Sequence, residues 1–327
     1  NMANFYLGRH YYDNRKFNYV IKAYEKVDLY ELDQQQREDL KFQLAYSYFF
    51  RKDFTNAKRY FSESKNSEKY SMPAHYYHGF IAFTENNYTA ALNDFMKVES
   101  SPYFGQVVPY YITSIYFQQN DYEKLLEYAV PLLEDRKTKY YSEINQLVGK
   151  AYFEQEQYNK ALPYLTYYAE NNTKLAKEDL FQLAFVQHKL RDYDNAINNF
   201  KQLSRINDSI GQNAMYLLAD AYLEVNDKPK ARIAFMEASR MNFDPFVREN
   251  ALFNYGMISY ELGFHNTAIT TLKELNQEFP NSEYDQKSKE LLTQLFLSTR
   301  DYQAALETLE TINNKSPKMK EAYQKVA

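Results

Sequence analysis

The sequence predicts an all-α chain of helix hairpins stacked in series, and three observations predict it. Small residues recur in pairs twelve positions apart. Aromatic and aliphatic residues flank each of them at spacings of three and four. Only 7 glycines stand among 327 residues, too few for the turns of a sandwich or a barrel or for a glycine-rich nucleotide fold.

The stretch from Leu147 to Leu165 shows the unit. Gly149 and Ala161 each have aromatic neighbours at helical spacing, and Gln155 to Gln157 form a polar joint between them. A small residue on a helix face lets a second backbone approach closely, and flanking rings fill the groove that results. The stretch therefore reads as an antiparallel hairpin.

The hairpin recurs along the chain, as self-similarity at a fixed period requires of a repeat architecture. Gly8, Ala45, Gly79, Thr113, Gly149, Ala184, Ala219, Gly256 and Thr293 fill the first small slot. Val20, Ala57, Ala91, Leu125, Ala161, Ala196, Ala231, Ala268 and Ala305 fill the second, each twelve residues after its partner. Successive second slots lie 34 to 37 residues apart. A constant inner spacing with an elastic outer one describes a rigid hairpin joined to the next by loops of variable length. An aromatic stands three before most second slots (Phe17, Phe54, Tyr88, Tyr122, Tyr158, Tyr193, Tyr302), and a large apolar residue four after (Tyr24, Phe61, Phe95, Leu165, Phe200, Phe235, Leu272, Leu309). Such offsets share one helical stripe. No hairpin can bury that stripe alone, so neighbours must stack.

Punctuation marks the boundaries. Asp53, Asp121, Asp192 and Asp301 precede the second-helix aromatic, where an acidic cap suits the positive helix end. Asp227 before Lys228-Pro229, and Ser71 before Met72-Pro73, read as caps with proline in the first turn. Pro163 falls early in a second helix, whereas Pro131 falls later and is expected to kink or end its own.

These motifs resemble the tetratricopeptide repeat family: Leu-Gly/Ala with a following Tyr in the first helix, Tyr-x-x-Ala-x-x-x-Phe in the second, at a period near 34. The resemblance spans essentially the whole chain in nine copies plus a truncated tenth. It implies a right-handed superhelical solenoid forming one continuous array over residues 1–327. Departures are local. Copy four carries Thr113 and Leu125 in its small slots, copies seven and eight carry Lys228 and His265 in place of the second aromatic, and no Trp occurs. Both ends read as uncapped: the chain opens inside a first helix, and Ala327 stands in phase for a tenth small slot. A segment of a longer array, or ends that self-associate, is expected from this.

Composition narrows the function. A net charge of −4 with interspersed signs and no long basic run gives no basis for nucleic-acid binding. No apolar run reaches 18 residues, so no membrane insertion is expected in this segment. Zero Cys excludes disulfides, thiolate metal sites and cysteine nucleophiles, and it fits an exported bacterial protein as well as a cytosolic one. No phosphate loop, serine elbow or His-Glu-x-x-His motif is present. His75 and His78 lie one turn apart, yet no third ligand is indicated, and packing is the favoured reading over a metal. No catalytic residue, cofactor or metal site is expected.

A binding surface is. Aromatics stand three before and four after most first slots, and with the residue just after the slot they make an i, i+4, i+7 stripe. It is densest at Phe42, Tyr46, Phe49, Tyr76, Phe80, Phe83 and Tyr110. In the family these first-helix positions line a concave surface that holds peptides, so the resemblance implies an aromatic groove for a protein or peptide segment. The carboxylate clamp of chaperone-binding members is absent, since its positions hold Phe5, Arg9, Gln43, Pro73 and Tyr77. A non-catalytic interaction scaffold is therefore expected. A component of a bacterial envelope or secretion assembly, or a regulatory module fused to an enzyme beyond this segment, are the alternatives.

Overall fold

A computed structural model describes residues 1–135, 138–312 and 317–326. Those residues form nineteen α-helices and one short 3-10 turn at Leu29–Glu31, with no strand among them. The helices follow the expected pairs: α1 (Met2–Asp13) with α2 (Phe17–Tyr24), α3 (Gln34–Phe50) with α4 (Phe54–Ser64), α5 (Ser71–Thr84) with α6 (Tyr88–Val98), and α7 (Val108–Gln118) with α8 (Tyr122–Asp135). After α9 (Tyr141–Glu154) and α10 (Tyr158–Glu170) come α11 (Lys177–Lys189) with α12 (Tyr193–Leu203), and α13 (Ser209–Glu224) with α14 (Lys228–Arg240). The last pairs are α15 (Pro245–Glu261) with α16 (His265–Glu278), and α17 (Asp285–Ser298) with α18 (Tyr302–Glu310), before a final α19 (Pro317–Val326). Ala327, in phase for a tenth slot, lies outside the described residues.

The chain divides into two compact units, Asn1–Gln155 and Glu156–Ala327. The division falls inside the fifth hairpin, leaving α9 in the first unit and α10 in the second. No helix among the described residues is long and apolar enough to cross a membrane.

All eighteen slot residues are buried. The reason shows at the glycines. A Cβ added at Gly256 would stand 2.8 Å from Leu272 Cδ2, and one at Gly79 would stand 2.9 Å from Asp94 Cβ and 3.2 Å from the Phe95 ring. Leu272 and Phe95 are the large residues four past the second slot, so each first slot is small because that side chain fills it. Phe61, Phe95, Phe200 and Phe235 all hold this position with at most 1% exposure. In copy four the slot is Thr113, whose hydroxyl donates to the Pro109 carbonyl at 2.7 Å and so is satisfied within its own helix.

The joint inside each hairpin is also fixed. Seven residues after each first slot the backbone turns left-handed: Arg15, Lys52, Asn86, Asn120, Glu156, Arg191, Asn226, Gly263 and Arg300 all have φ between 55° and 80°. In α3 the Lys52 N–H donates to Phe49 and the Asp53 N–H donates to Tyr48; in α15 the Phe264 N–H reaches Ser259 at 2.8 Å. This is a helix C-terminus closed by one αL residue. The next residue caps the second helix. Asp53, Asp121, Asp227 and Asp301 each accept a backbone N–H three residues on.

Three local expectations are corrected. Asp192 bonds the Asn195 side chain instead of the backbone, and Ser71 is a first helical residue behind an N-cap at Tyr70. Pro131 does not end α8, which runs on to Asp135. Pro163 is the sixth residue of α10, beyond the positions whose N–H groups lack partners, so it deletes a ladder bond.

Two substitutions check this geometry. Gly256→Leu should overpack against Leu272 and lower stability by about 1–3 kcal/mol in chemical denaturation. At the αL joint a β-carbon costs on the order of 1 kcal/mol. Gly263→Ala should therefore destabilise although its Cβ would meet nothing within 4 Å, whereas Lys52→Gly should stabilise. Equal melting temperatures for all three would refute the assignment.

Candidate functional site

Helices α3, α5 and α7 carry the aromatic stripe, all within the first unit. Their spacing projects each ring toward the next hairpin, and the rings interlock. Tyr46 sits edge-on to Tyr12 at 5.7 Å and to Tyr77 at 5.3 Å. Phe49 meets Phe80 at 5.8 Å and 70°, and Phe80 meets Tyr111 at 5.8 Å and 85°. Phe83 meets Tyr111 at 5.3 Å. These are the edge-to-face arrangements that ring quadrupoles favour, each worth about 0.5–1.5 kcal/mol beyond burial.

The seven expected residues do not share one environment. Phe42 is 6% exposed, its face covered by Tyr70 in a parallel stack at 4.3 Å and 10°. Tyr76 stacks on Phe104 at 4.3 Å and 15°, and Tyr110 leans on Tyr140 at 4.9 Å. Those three hold the inter-hairpin loops. Tyr46, Phe49, Phe80 and Phe83 are half-buried along the stripe itself.

Sequence reasoning missed three contributors. Phe50 is 51% exposed and stacks on Phe17 at 4.7 Å, so it offers the stripe's most open ring. Tyr77 and Tyr111, two before their slots, are the hubs through which neighbouring hairpins touch. The loop rings could have been found: Tyr70 follows Phe42 by 28 residues, as Phe104 follows Tyr76. In the second unit Tyr284 stacks on Phe253 at 4.2 Å and 8° in the same manner.

The hydroxyls on this surface are held protonated. Burial first, then Tyr46, raises Tyr77 well above the ordinary tyrosine value; burial, then Tyr76 and Tyr140, does the same to Tyr111. Neither will ionise in any usable buffer, so the stripe offers apolar faces and neutral hydrogen-bonding groups.

Behind it, His75 and His78 have a shared task. Both Nδ1 atoms reach the Asp94 carboxylate, at 2.7 Å and 2.5 Å, and Lys65 Nζ joins it at 2.6 Å. Asp94 is 4% exposed. Among the described residues, no group of three or more His, Cys, Asp or Glu side chains could hold a metal ion. The cluster ties the end of α4 to α5 and α6.

Three comparisons with known proteins bear on this chain. A tetratricopeptide repeat model matches residues 250–282. The fold is similar to that of YrrB, whose structure is described as a TPR protein with an unusual peptide-binding site: 18% identity and a TM-score of 0.50, over 58% of this chain and 96% of that one. It is also similar to the C-terminal part of a TPR repeat-containing protein from Cytophaga hutchinsonii, at 15% identity and a TM-score of 0.52, over 76% of this chain and 98% of that one. No curated protein matches the chain in sequence. At these identities the likeness speaks to fold.

The Asp94 cluster sets an acid limit. Burial works against its ionised form, but hydrogen bonds from His78, Lys65 and His75 outweigh that and hold the carboxyl below the usual range. Its contribution is complete above the unfolded value of about 3.9 and is lost as pH falls through the lower folded value. Asp94→Asn should cost roughly 3 kcal/mol at neutral pH and flatten the stability profile below about pH 4. Parallel profiles of parent and variant, by denaturation at stepped pH, would contradict this.

Proposed function

From the premise that the chain is built of tetratricopeptide repeats, we propose that it is a non-catalytic scaffold that grips a protein or peptide segment along the aromatic stripe of its first unit. Tyr46, Phe49, Phe80 and Phe83 make the gripping surface, with Phe50 as its open edge. Phe42, Tyr76 and Tyr110 brace it by pinning the loops beneath.

The observation that carries this reading is the edge-on locking of half-exposed rings across successive hairpins. Rings fixed by their neighbours lose little side-chain freedom on binding, so less of the contact energy is spent on ordering. Tyrosine and phenylalanine anchors in such settings commonly dominate binding energy. YrrB, described as having a peptide-binding site, shares the fold, which makes a peptide the natural probe.

The chain has no Trp, so Phe50→Trp introduces a single indole reporter. Peptides selected on the chain from a random displayed library should shift its emission to the blue as they cover the ring. Phe50→Ala with Phe83→Ala should weaken the same peptides at least tenfold while helical content is kept. If peptides that bind by calorimetry leave the emission unchanged and ignore the double substitution, the stripe is not their site.

A further inference from the structure

The second unit holds a cleft of different chemistry. It lies between α10 and α12, both second helices, with α11 beneath, and encloses about 640 Å³. That volume is in the range of ligand-binding clefts. The floor is apolar, from Leu180 and Leu183, and the walls are uncharged except for Glu170 and Asp192. No lining side chain is aromatic or cationic.

One wall is a row of amides. Asn195, Asn199 and Gln202 follow Asp192 at intervals of three, four and three, so they stand in line along one face of α12. They are chained by hydrogen bonds: Gln202 Nε2 to Asn199 Oδ1 at 3.3 Å, then Asn199 Nδ2 to Gln187 Oε1 at 2.8 Å. Gln187 rises from the floor helix and is 7% exposed, and its amide nitrogen has no partner among the described residues. A buried amide donor without a partner carries a penalty that a ligand carbonyl would remove.

The neighbouring cleft shows what an occupied version looks like. Between α14 and α16 the floor residue is Arg248, which donates to Glu274 and Glu278 at 2.9 Å and to the Ser239 carbonyl. There the chain's own ion pairs use the available groups. Between α10 and α12 they stay open.

We propose that the cleft between α10 and α12 is a second binding site, for an extended polypeptide segment that is neutral to basic. A row of amides pairs with main-chain N–H and C=O groups, each offering one donor and one acceptor to a strand's backbone. The leucine floor takes small aliphatic side chains. Glu170 and Asp192 favour lysine or arginine and disfavour acidic segments. Carbohydrate is the less suitable occupant, because no ring stands in the lining for a sugar face to stack on.

The test is selection of a random decapeptide library, displayed on phage, on the full chain, with affinities then measured by calorimetry. Some selected peptides should be rich in Lys and Arg and poor in Asp and Glu. Their affinity should fall at least tenfold with Asn199→Leu plus Gln202→Leu, and also with Thr166→Arg on the opposite wall, each variant keeping the parent melting temperature. Phe50→Ala with Phe83→Ala should leave these peptides unaffected, which separates this site from the aromatic stripe. The proposal fails if no selected peptide responds to the changes on either wall, or if those that respond are acidic. It fails equally if an oligosaccharide array binds through the amides instead.

Discussion

The structure depends on one close approach: a small residue on the first helix of each hairpin faces a large residue four past the small slot on the second. Gly256 against Leu272 and Gly79 against Phe95 show how tight the fit is, since even a methyl group would intrude. Because the inner spacing of twelve never varies, the same contact forms nine times in sequence, whatever the loops do. Each contact fixes the hairpin's rotation, and that rotation decides which side chains point toward the next hairpin. The positions of the aromatic stripe and of the amide row both follow from it.

The stripe shows how packing and recognition share residues. Tyr77 touches Phe49 and Phe61, and Tyr111 touches Phe80, Phe83 and Phe95, so each ring is both cement and surface. Nothing separates a structural from an exposed layer, as it would in a globular core. A long array has no central core, and its stability comes from neighbour contacts. Rings that hold neighbours together must lie at the seams, and the seams are also the surface. The rigidity needed for stacking thereby becomes preorganisation for a ligand.

Much of this was legible in the sequence and some was not. The slots and the second-helix aromatics were legible because helical periodicity and a constant separation reinforce one another. The αL joint was hidden. Arg15, Lys52, Glu156, Arg191 and Arg300 hold a conformation that glycine or asparagine usually marks, and only Asn86, Asn120, Asn226 and Gly263 carry the expected sign. The loop stacks of Tyr70 and Phe104 were obscured because outer spacing varies and rings on loops lose phase. Phe42 looked like surface because its periodicity is right; its cover comes from that same loop. The Asp94 cluster draws on three helices, and no pattern within one helix could announce it.

The two candidate surfaces differ because the two kinds of helix face different surroundings. First helices meet both neighbours along the array and are filled with rings. Second helices contribute small slots and large anchors inward, which leaves their outer faces free to be polar. On α12 that freedom places Asn195, Asn199 and Gln202 in line, while Ala196, Phe200 and Leu203, one residue on from each, remain buried. The offset of one residue is a rotation of about 100° around the helix, enough to move from core to cleft wall. A helix whose inward contacts are set by the repeat can change its outward chemistry without disturbing the fold. The amide row could arise there for that reason, whereas the same residues on α3 or α5 would break the aromatic seam.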